Sequence, residues 1–260
     1  MNGVQATNTG TDIETFVRNR FFYGKLMDVY HFDLEQSYFN EKRWLLNRLV
    51  TGYGVICGLN VKLAQDGRNV WVDPGVGLDK AGHEIVVPVA SKSVAIPDGP
   101  PPPEKPPAND EEQCEMEENC YGHLSICYHE CAGDPEPVRA GDCDLPDPCP
   151  PGAIRERYKL CLKPGRAHKI HAVSSIEDLV SNGRLSYEAL ANYVTRNCAE
   201  PPSDPCLPLA NIKLPPAGKK ASDEDIDITV RPIVYTNDLL YELILAFMSQ
   251  APNRPRPAKY

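Results

Sequence analysis

The segment from Arg18 to Val61 constrains the fold of this chain most strongly, because it combines aromatic, basic and glycine residues too densely for an ordinary surface helix. Asp33 and Gln36 make a candidate capping box, after which apolar residues recur at helical spacing. The spacing predicts a helix over 33–50. Its apolar stripe comprises Leu34, Tyr38, Leu45 and Leu49, widened by Trp44 and Leu46. The glycines that end it are Gly52, Gly54 and Gly58.

The pattern beyond these glycines has a period of two, which is typical of strands with one buried face. Asn60–Leu63 and Asn69–Val72 flank an Asp66-Gly67 pair, and this arrangement predicts a hairpin. A further pair of strands ends at Glu84–Pro88. We therefore expect a compact antiparallel unit directly after the first helix.

Alternating residues later in the chain predict a second antiparallel pair, and more strands follow it. The segments concerned are His123–His129, Arg155–Lys163, Leu207–Leu214 and Asp225–Val230. Helix signals lie between and after them. Ser174 with Glu177 caps a short turn, Ser186 opens a helix, and Asn237 caps a helix over 237–249 with a broad apolar face.

These elements predict an α+β fold with an antiparallel, sandwich-like β core, an N-terminal helix, a short mid-chain helical segment and a C-terminal helix. We divide the chain by changes in composition. The predicted parts are a flexible N-terminal arm (1–15), an aromatic and basic helical docking module (16–58), an antiparallel β-module (59–98), a Pro-rich acidic linker (99–120) and a Cys-containing α+β domain (121–260).

The net charge of −9 argues against nucleic acid as a partner, because phosphate recognition needs a basic face and no basic stripe occurs. The most apolar window, Leu239–Met248, contains Glu242 and is too short to span a bilayer, so we expect no direct membrane insertion. The first residues lack the features of a secretory signal. Synthesis and assembly in the cytoplasm are therefore expected.

Six of the ten cysteines lie between positions 114 and 149, and three interpretations stay open for them. Cys127, His129 and Cys131 could bind zinc with Cys143, Cys149 or His123 as a fourth ligand, although no Cys-x-x-Cys spacing occurs. Disulfides are the second interpretation and free thiols the third. The candidate disulfides are Cys114–Cys120, Cys143–Cys149 and Cys198–Cys206.

The sequence carries no nucleophile elbow, P-loop or dinucleotide fingerprint, so we expect no catalytic residues and, apart from the candidate zinc, no cofactor. Asp223, Asp225 and Asp227 alternate but lack the glycine and the terminal glutamate of a calcium loop, which favours an exposed strand face. His168 and His171 fit a solvated loop.

Protein binding is the activity that the N-terminal segment favours, because arginine and aromatic residues together are enriched at the centres of interfaces. The alternative is that the rings belong to the core of this chain and the charges to a solvated helix face. The candidate partner-binding residues are Arg18, Arg20, Phe21, Phe22, Tyr23, Lys25, Arg43, Trp44 and Arg48.

The same segment resembles the opening of proteins encoded with extracellular contractile injection systems, which are phage-tail-like particles. The matching residues are Asn19-Arg20-Phe21-Phe22-Tyr23-Gly24-Lys25-Leu26, then Phe32, Glu35-Gln36, Tyr38-Phe39, Lys42-Arg43, Leu46-Asn47-Arg48-Leu49, Gly52, Gly54-Val55 and Cys57-Gly58-Leu59. Residues 72–79 and 82–87 are similar to a β-module of phage baseplate and fibre-base proteins. Residues 207–214 and 231–245 resemble the C-terminal end of the family.

This resemblance implies a non-enzymatic structural subunit in the baseplate region of such a particle, or in a cage around it. The implied partners are other baseplate, spike or sheath-proximal subunits, together with further copies of this chain in a homo-oligomer. The finished particle would be released or associated with a membrane. The alternative function is a metal- or ligand-binding recognition module built on the cysteine-rich loop, which lies outside the resemblance.

Overall fold

The structure is a computed structural model that describes residues 15–101, 119–136, 150–170, 176, 178–181 and 184–250. Its α-helices in this part of the chain are α1 (Val29–Leu46), α2 (Tyr187–Val194) and α3 (Asn237–Gln250). A π-helical turn, Asn47–Thr51, extends α1.

The strands of the described residues form three larger sheets and one short pair, and every strand pairing within them is antiparallel. The first sheet has the order β1 (Gly54–Gly58), β4 (Gly75–Leu78), β5 (Glu84–Val87). The second has the order β2 (Val61–Leu63), β3 (Asn69–Val72), β6 (Val94–Ala95). The third has the order β12 (Ile226–Asp227), β11 (Leu207–Lys213), β7 (Tyr121–Pro135), β8 (Pro151–Pro164). The short pair is β9 (Val180–Ser181) with β10 (Arg184–Leu185). The predicted α+β class is confirmed.

The β2–β3 hairpin forms where the sequence predicts it. Asp66 accepts hydrogen bonds from the backbone N–H groups of Arg68 and Asn69, at 2.8 and 3.2 Å, and Gly67 adopts a φ of +66°. These hydrogen bonds favour the charged carboxylate, so they lower the pKa of Asp66. This turn requires a short side chain that accepts hydrogen bonds, followed by a glycine, which adopts a positive φ without strain because it has no Cβ atom.

One hydrophobic core joins the three larger sheets. Residues on either side of the linker contribute to it, from Val55 to Ile96 and from Leu124 to Ala221. Leu59, Ile85, Leu124, Ile126, Leu207, Leu209 and Ile212 are among its fully buried side chains. Each such side chain stabilises the fold by about 1.5–3 kcal/mol relative to exposure. The predicted β-module and the predicted C-terminal domain thus share a single interior.

Helix α1 begins at Val29, four residues before the predicted start at position 33. Asp28 is the N-cap, with its carboxylate 3.3 Å from the backbone nitrogen of His31, and the ring of His31 reaches back to the backbone N–H of Asp28. A histidine therefore fills the position that glutamate or glutamine usually takes in a capping box. The helix is confirmed, and its predicted start is wrong. Of the predicted apolar stripe, Leu34, Tyr38, Trp44 and Leu45 are partly buried, whereas Leu46 and Leu49 are exposed.

The segment predicted as one strand over Asp225–Val230 is mostly helical turn. Strand β12 is only two residues long and lies between two 3-10 turns, Asp223–Asp225 and Ile228–Val230. Asp227 causes this local structure, because its carboxylate accepts from the backbone and the hydroxyl of Thr229, at 2.9 and 2.6 Å. Local acceptors of this kind compete with strand pairing.

The other helix predictions agree with the structure more closely. Ser186 caps α2, because its hydroxyl accepts from the backbone N–H of Ala189 at 3.2 Å. At α3 it is Thr236 that accepts from the N–H of Leu239, at 3.3 Å, and Asn237 is the first helical residue. The Ser174 and Glu177 box and most of the Pro-rich linker lie outside the described residues.

Candidate partner-binding surface

The chain between residues 15 and 28 lies along α1 and is held there by side chains. The amide of Asn19 donates to the carbonyl oxygen of His31 at 2.6 Å and to the carboxylate of Glu35 at 3.1 Å. The ring of Phe16 meets that of Tyr38 edge to face, with centroids 6.5 Å apart. The N-terminal segment is thereby fixed on the helix although little of it is buried.

This arrangement leaves a group of apolar side chains in solvent at the start of the module. Phe21 and Phe22 are 61% and 63% exposed, Leu26 is 85% exposed, and Tyr23 is fully exposed. Tyr23 precedes Gly24, whose φ of +83° turns the backbone there. Several large apolar side chains exposed side by side are unusual for a free monomer and are typical of an interaction site.

A second exposed group follows one face of α1 and continues into the π-helical turn. Positions 29, 32, 36, 39, 43, 46 and 50 alternate in steps of three and four, which places them on one stripe of the helix. Its apolar members are each at least 58% exposed: Val29, Phe32, Phe39, Leu46 and Val50. We call these five residues the α1 stripe. Its geometry is that of a helix-packing seam, and no second helix of the described residues packs extensively on it.

A different side of α1, which presents Trp44, is attached to the body of the protein. Trp44 and Tyr128 both pack on His83, the former edge to face at 4.4 Å between centroids and the latter stacked at 4.5 Å. Gly82 allows the close approach, because a Cβ atom there would lie 2.1 Å from the carbonyl oxygen of Trp44. The indole N–H of Trp44 is buried and has no hydrogen-bond partner in the described part of the chain.

A buried carboxylate shapes the turn that presents His83. Asp79 is fully buried, and one of its oxygens accepts from the backbone N–H groups of Ala81 and His83, each at 2.9 Å. Its other oxygen lies 2.8 Å from Nδ1 of the His83 ring. His83 is thus held in place by two hydrogen bonds to Asp79, one from its backbone N–H and one at its ring, and its ring serves as a packing surface.

Tyr128 is held on the other side of the histidine as a neutral phenol. Burial and a 2.8 Å hydrogen bond from its hydroxyl to Glu130 raise the pKa of Tyr128, and the negative charge of Glu156 adds to the effect. The hydroxyl therefore stays protonated and donates over the whole physiological range. The cluster of Asp79, His83, Tyr128 and Trp44 is a structural joint between α1 and the sheets.

Polar contacts reinforce this joint. Glu84 receives the guanidinium of Arg43 at 3.0 Å and the side-chain amide of Asn47 at 2.8 Å. Arg48 donates to the carbonyl oxygen of Ala199. Three of the nine predicted partner-binding residues, Arg43, Trp44 and Arg48, are therefore engaged within the chain.

The remaining predicted partner-binding residues lie in the segment before α1 and are not part of this joint. Arg18 and Arg20 are exposed, and neither side chain forms an ion pair with a described residue. Lys25 bonds to Asn19 at 3.3 Å and lies over the ring of Phe21, 5.5 Å from its centroid. The structure thus places Arg18, Arg20 and the exposed rings in one exposed segment, which Asn19 holds against α1.

A cleft of about 610 Å³ separates the first described residues from the segment before β11. Its apolar wall comes from Phe16, Tyr38, Trp44 and Leu45, and its far side from residues 198–201. Arg48 crosses it to Ala199. Most of the aromatic residues that the sequence could not assign to core or surface therefore divide between this cleft and the exposed patch.

Helix α3 exposes a surface that the sequence analysis identified only as an apolar face. No residue in the part of α3 with described side chains, 237–249, is buried, and no described helix or strand packs extensively against it. Leu239 and Leu243 are half-buried toward the body of the protein. The exposed members, between 42% and 72% accessible, are Leu240, Tyr241, Ile244, Leu245, Phe247 and Met248. We call these six residues the α3 face.

The cysteines pair differently from the prediction. Cys127 and Cys206 form a disulfide with their Cα atoms 4.4 Å apart, whereas Cys120 and Cys198 are free thiols. The predicted bonds Cys114–Cys120 and Cys198–Cys206 are therefore not formed. Strand register explains the pairing, because Leu207 lies opposite Ile126, which sets the preceding Cys206 against Cys127. Cys143 and Cys149 lie outside the described residues.

The Cys127–Cys206 disulfide also affects the candidate zinc site. The sulfur of Cys127 is bonded to Cys206 and is no thiolate, while His129 and Cys131 are exposed farther along β7. Within the described residues, no three His, Cys, Asp or Glu side chains are grouped closely enough to hold a metal ion. Cys143 lies outside those residues.

Comparison with known proteins does not identify a family for this chain. No protein-family model matches the chain, and no curated protein sequence matches it either. The resemblance to contractile injection system proteins stays a prediction from the residues quoted above. None of the helices in the described residues combines the length and the apolar composition needed to cross a membrane.

Proposed function

We propose that this chain is a non-enzymatic structural subunit of a phage-tail-like contractile injection particle, located in its baseplate region or in a cage around it. The N-terminal module grips a neighbouring subunit through Arg18, Arg20 and the exposed rings beside them. Synthesis and assembly take place in the cytoplasm. The finished particle is released or associates with a membrane.

The observation that carries this proposal is the exposure of Phe21, Phe22 and Tyr23 on a chain that has a well-filled core elsewhere. Solvating such a patch is unfavourable by roughly 25 cal/mol for each Å² of apolar surface. A neighbouring subunit that covers the rings removes this cost. Protein assembly therefore explains the surface without any catalytic group.

The chemistry of the patch also indicates a protein partner. Planar guanidinium groups beside aromatic rings form the central contacts of many interfaces, because both give large contact area and directed hydrogen bonds. Arg18 and Arg20 have no ion-pair partner among the described residues. They are available to carboxylates of a neighbouring subunit.

Particle assembly with a triple variant, Arg20→Ala, Phe22→Ala and Tyr23→Ala, tests the proposal. All three side chains are exposed, so the chain is expected to fold normally while its incorporation into particles falls at least tenfold. Incorporation is measured by electron microscopy and by the amount of chain in purified particles. Variant Tyr187→Ala, which removes an exposed ring from α2, is the control and is expected to incorporate normally. Normal particles containing the triple variant would contradict the proposal.

A further inference from the structure

Two exposed apolar surfaces on this chain are complementary to each other. The α1 stripe is a narrow seam that follows a three–four spacing along a helix. The α3 face covers an arc of roughly 160° around its helix, at about 100° per residue. A helix that is apolar around so much of its circumference belongs in a buried position.

The two helices are not each other's partner within one chain. Val55, just after α1, pairs with Ile233, just before α3, so the C-terminal end of α1 and the N-terminal end of α3 lie close together. The backbone N–H of Val55 donates to Pro232 at 2.9 Å, and that of Val234 donates to Val55 at 3.0 Å. The α1 stripe and the α3 face are nevertheless both exposed.

Charge distinguishes the two surfaces. The module over 16–51 carries six basic and four acidic residues, and Arg18 and Arg20 are unpaired among the described residues. Helix α3 carries Asp238 and Glu242 and no basic residue. These acids lie one turn apart beside the α3 face, and neither is paired within the described part of the chain. Two α3 helices would repel each other, whereas α3 and the N-terminal module attract.

We propose that the α3 face of one copy of this chain docks on the α1 stripe of a second copy. The inference rests on the proposed function and names one partner of the same module. Phe39 and Leu46 of one copy contact Ile244 and Phe247 of the other. Asp238 and Glu242, beside that α3 face, lie toward the basic residues in the N-terminal module of the copy that presents the stripe. Such an interface is heterologous, so repetition builds a ring or an open array instead of a closed pair.

Complementation between two variants of the full chain tests this arrangement. Phe39→Asp disables the stripe and Ile244→Asp disables the α3 face, and both positions are exposed, so each variant is expected to fold. Wild-type protein is expected to form oligomers that grow with concentration in sedimentation velocity. Each variant alone is expected to be monomeric. Their equimolar mixture is expected to form a one-to-one dimer, because each variant retains the surface that the other lacks.

The other outcomes overturn the inference. If Phe39→Asp oligomerises as the wild type does and the mixture gains nothing, α3 pairs with itself. If the wild type is monomeric at every accessible concentration, the chain does not bind its own copies. The proposed function is tested separately, because the triple variant at Arg20, Phe22 and Tyr23 reports on particles. Ser249→Asp adds a charge to α3 beside Glu242, away from the α3 face, and is expected to leave the oligomers unchanged.

Discussion

At the scale of single residues, the attachment of α1 depends on a position where only glycine fits. Gly82 has a φ of +98°, and an added Cβ atom would lie 2.1 Å from the Trp44 carbonyl oxygen. We expect Gly82→Ala to lower the free energy of unfolding by about 2–4 kcal/mol, from backbone strain and overpacking together. Urea denaturation measures the change.

Gly218→Ala is the matched control for that substitution. Gly218 has a φ of +74° but nothing within 4 Å of an added Cβ atom, so only backbone strain of about 1 kcal/mol is expected. Equal losses for the two variants would show that the contact with Trp44 does not hold α1 in place.

Asp79 provides a second residue-scale prediction. Asp79→Ala leaves the N–H groups of Ala81 and His83 without their acceptor in a partly buried turn, and we expect a loss of about 2 kcal/mol in the free energy of unfolding. Asp66→Ala removes a similar pair of hydrogen bonds from an exposed turn, where water replaces them. Thermal unfolding of both variants checks the order, and a larger loss for Asp66→Ala would be inconsistent with the role of Asp79.

At this scale the sequence predicted local turns and helix caps better than it predicted the environments of side chains. The Asp66-Gly67 turn and the Ser186 cap act within a few residues, so the sequence shows their partners directly. The environment of Trp44 depends on His83 and Tyr128, which are distant in sequence and meet only in the folded protein. For that reason the sequence could not separate Trp44 from the exposed Tyr23.

At the scale of elements, the Cys127–Cys206 disulfide joins β7 to the residue directly before β11, across 79 residues of sequence. We expect Cys127→Ser with Cys206→Ser to lower the free energy of unfolding by about 2–4 kcal/mol, because the unfolded chain gains freedom. A reducing agent should lower the stability of the wild type to the same extent and leave the double variant unchanged. Mass spectrometry of peptides alkylated without reduction identifies the bond, and an unlinked Cys206 would contradict the pairing.

Strand β12 gives an element-scale prediction about pH. The hydroxyl and backbone of Thr229, aided by Lys169, lower the pKa of Asp227 below its ordinary value of 3.8. A depressed folded-state pKa contributes stability that is present above the unfolded-state pKa and is lost as pH falls through the folded-state value. We therefore expect Asp227→Asn to weaken the loss of stability below about pH 4.

Unfolding free energies measured from pH 7 down to acid conditions, for wild type and variant, check this expectation. Glu224→Gln, on the neighbouring 3-10 turn, is the control because its side chain makes no hydrogen bond or ion pair among the described residues. An acid dependence that Asp227→Asn leaves unchanged would assign the loss to other carboxylates.

The elements also show why the sequence misjudged some boundaries. The capping side chain of α1 is Asp28, whose partner at the third helical position is histidine, and a pattern that requires glutamate or glutamine misses it. Strand pairing between β7 and β11 aligns Cys127 with Cys206, and no spacing rule within the sequence gives that register. Long-range register is fixed by core packing, which single-sequence patterns do not contain.

At the scale of the whole molecule, the three larger sheets bury apolar side chains in one core, whereas α1 and α3 expose much of their apolar surface. The predicted α+β class followed from periodicity alone, because alternating and helical patterns are separated along the chain. The unusual property is the exposed apolar surface of the N-terminal module and of α3. A subunit of a larger assembly has this distribution, since its interior is completed by its neighbours.

Cryo-electron microscopy of assembled particles tests this account most directly, by comparing the accessibility of Phe21, Phe22, Tyr23 and Phe39 in the particle with their accessibility in the free chain. The account predicts that a neighbouring subunit covers these side chains. Particles that lack the chain, or that contain it with these rings still open to solvent, would contradict it.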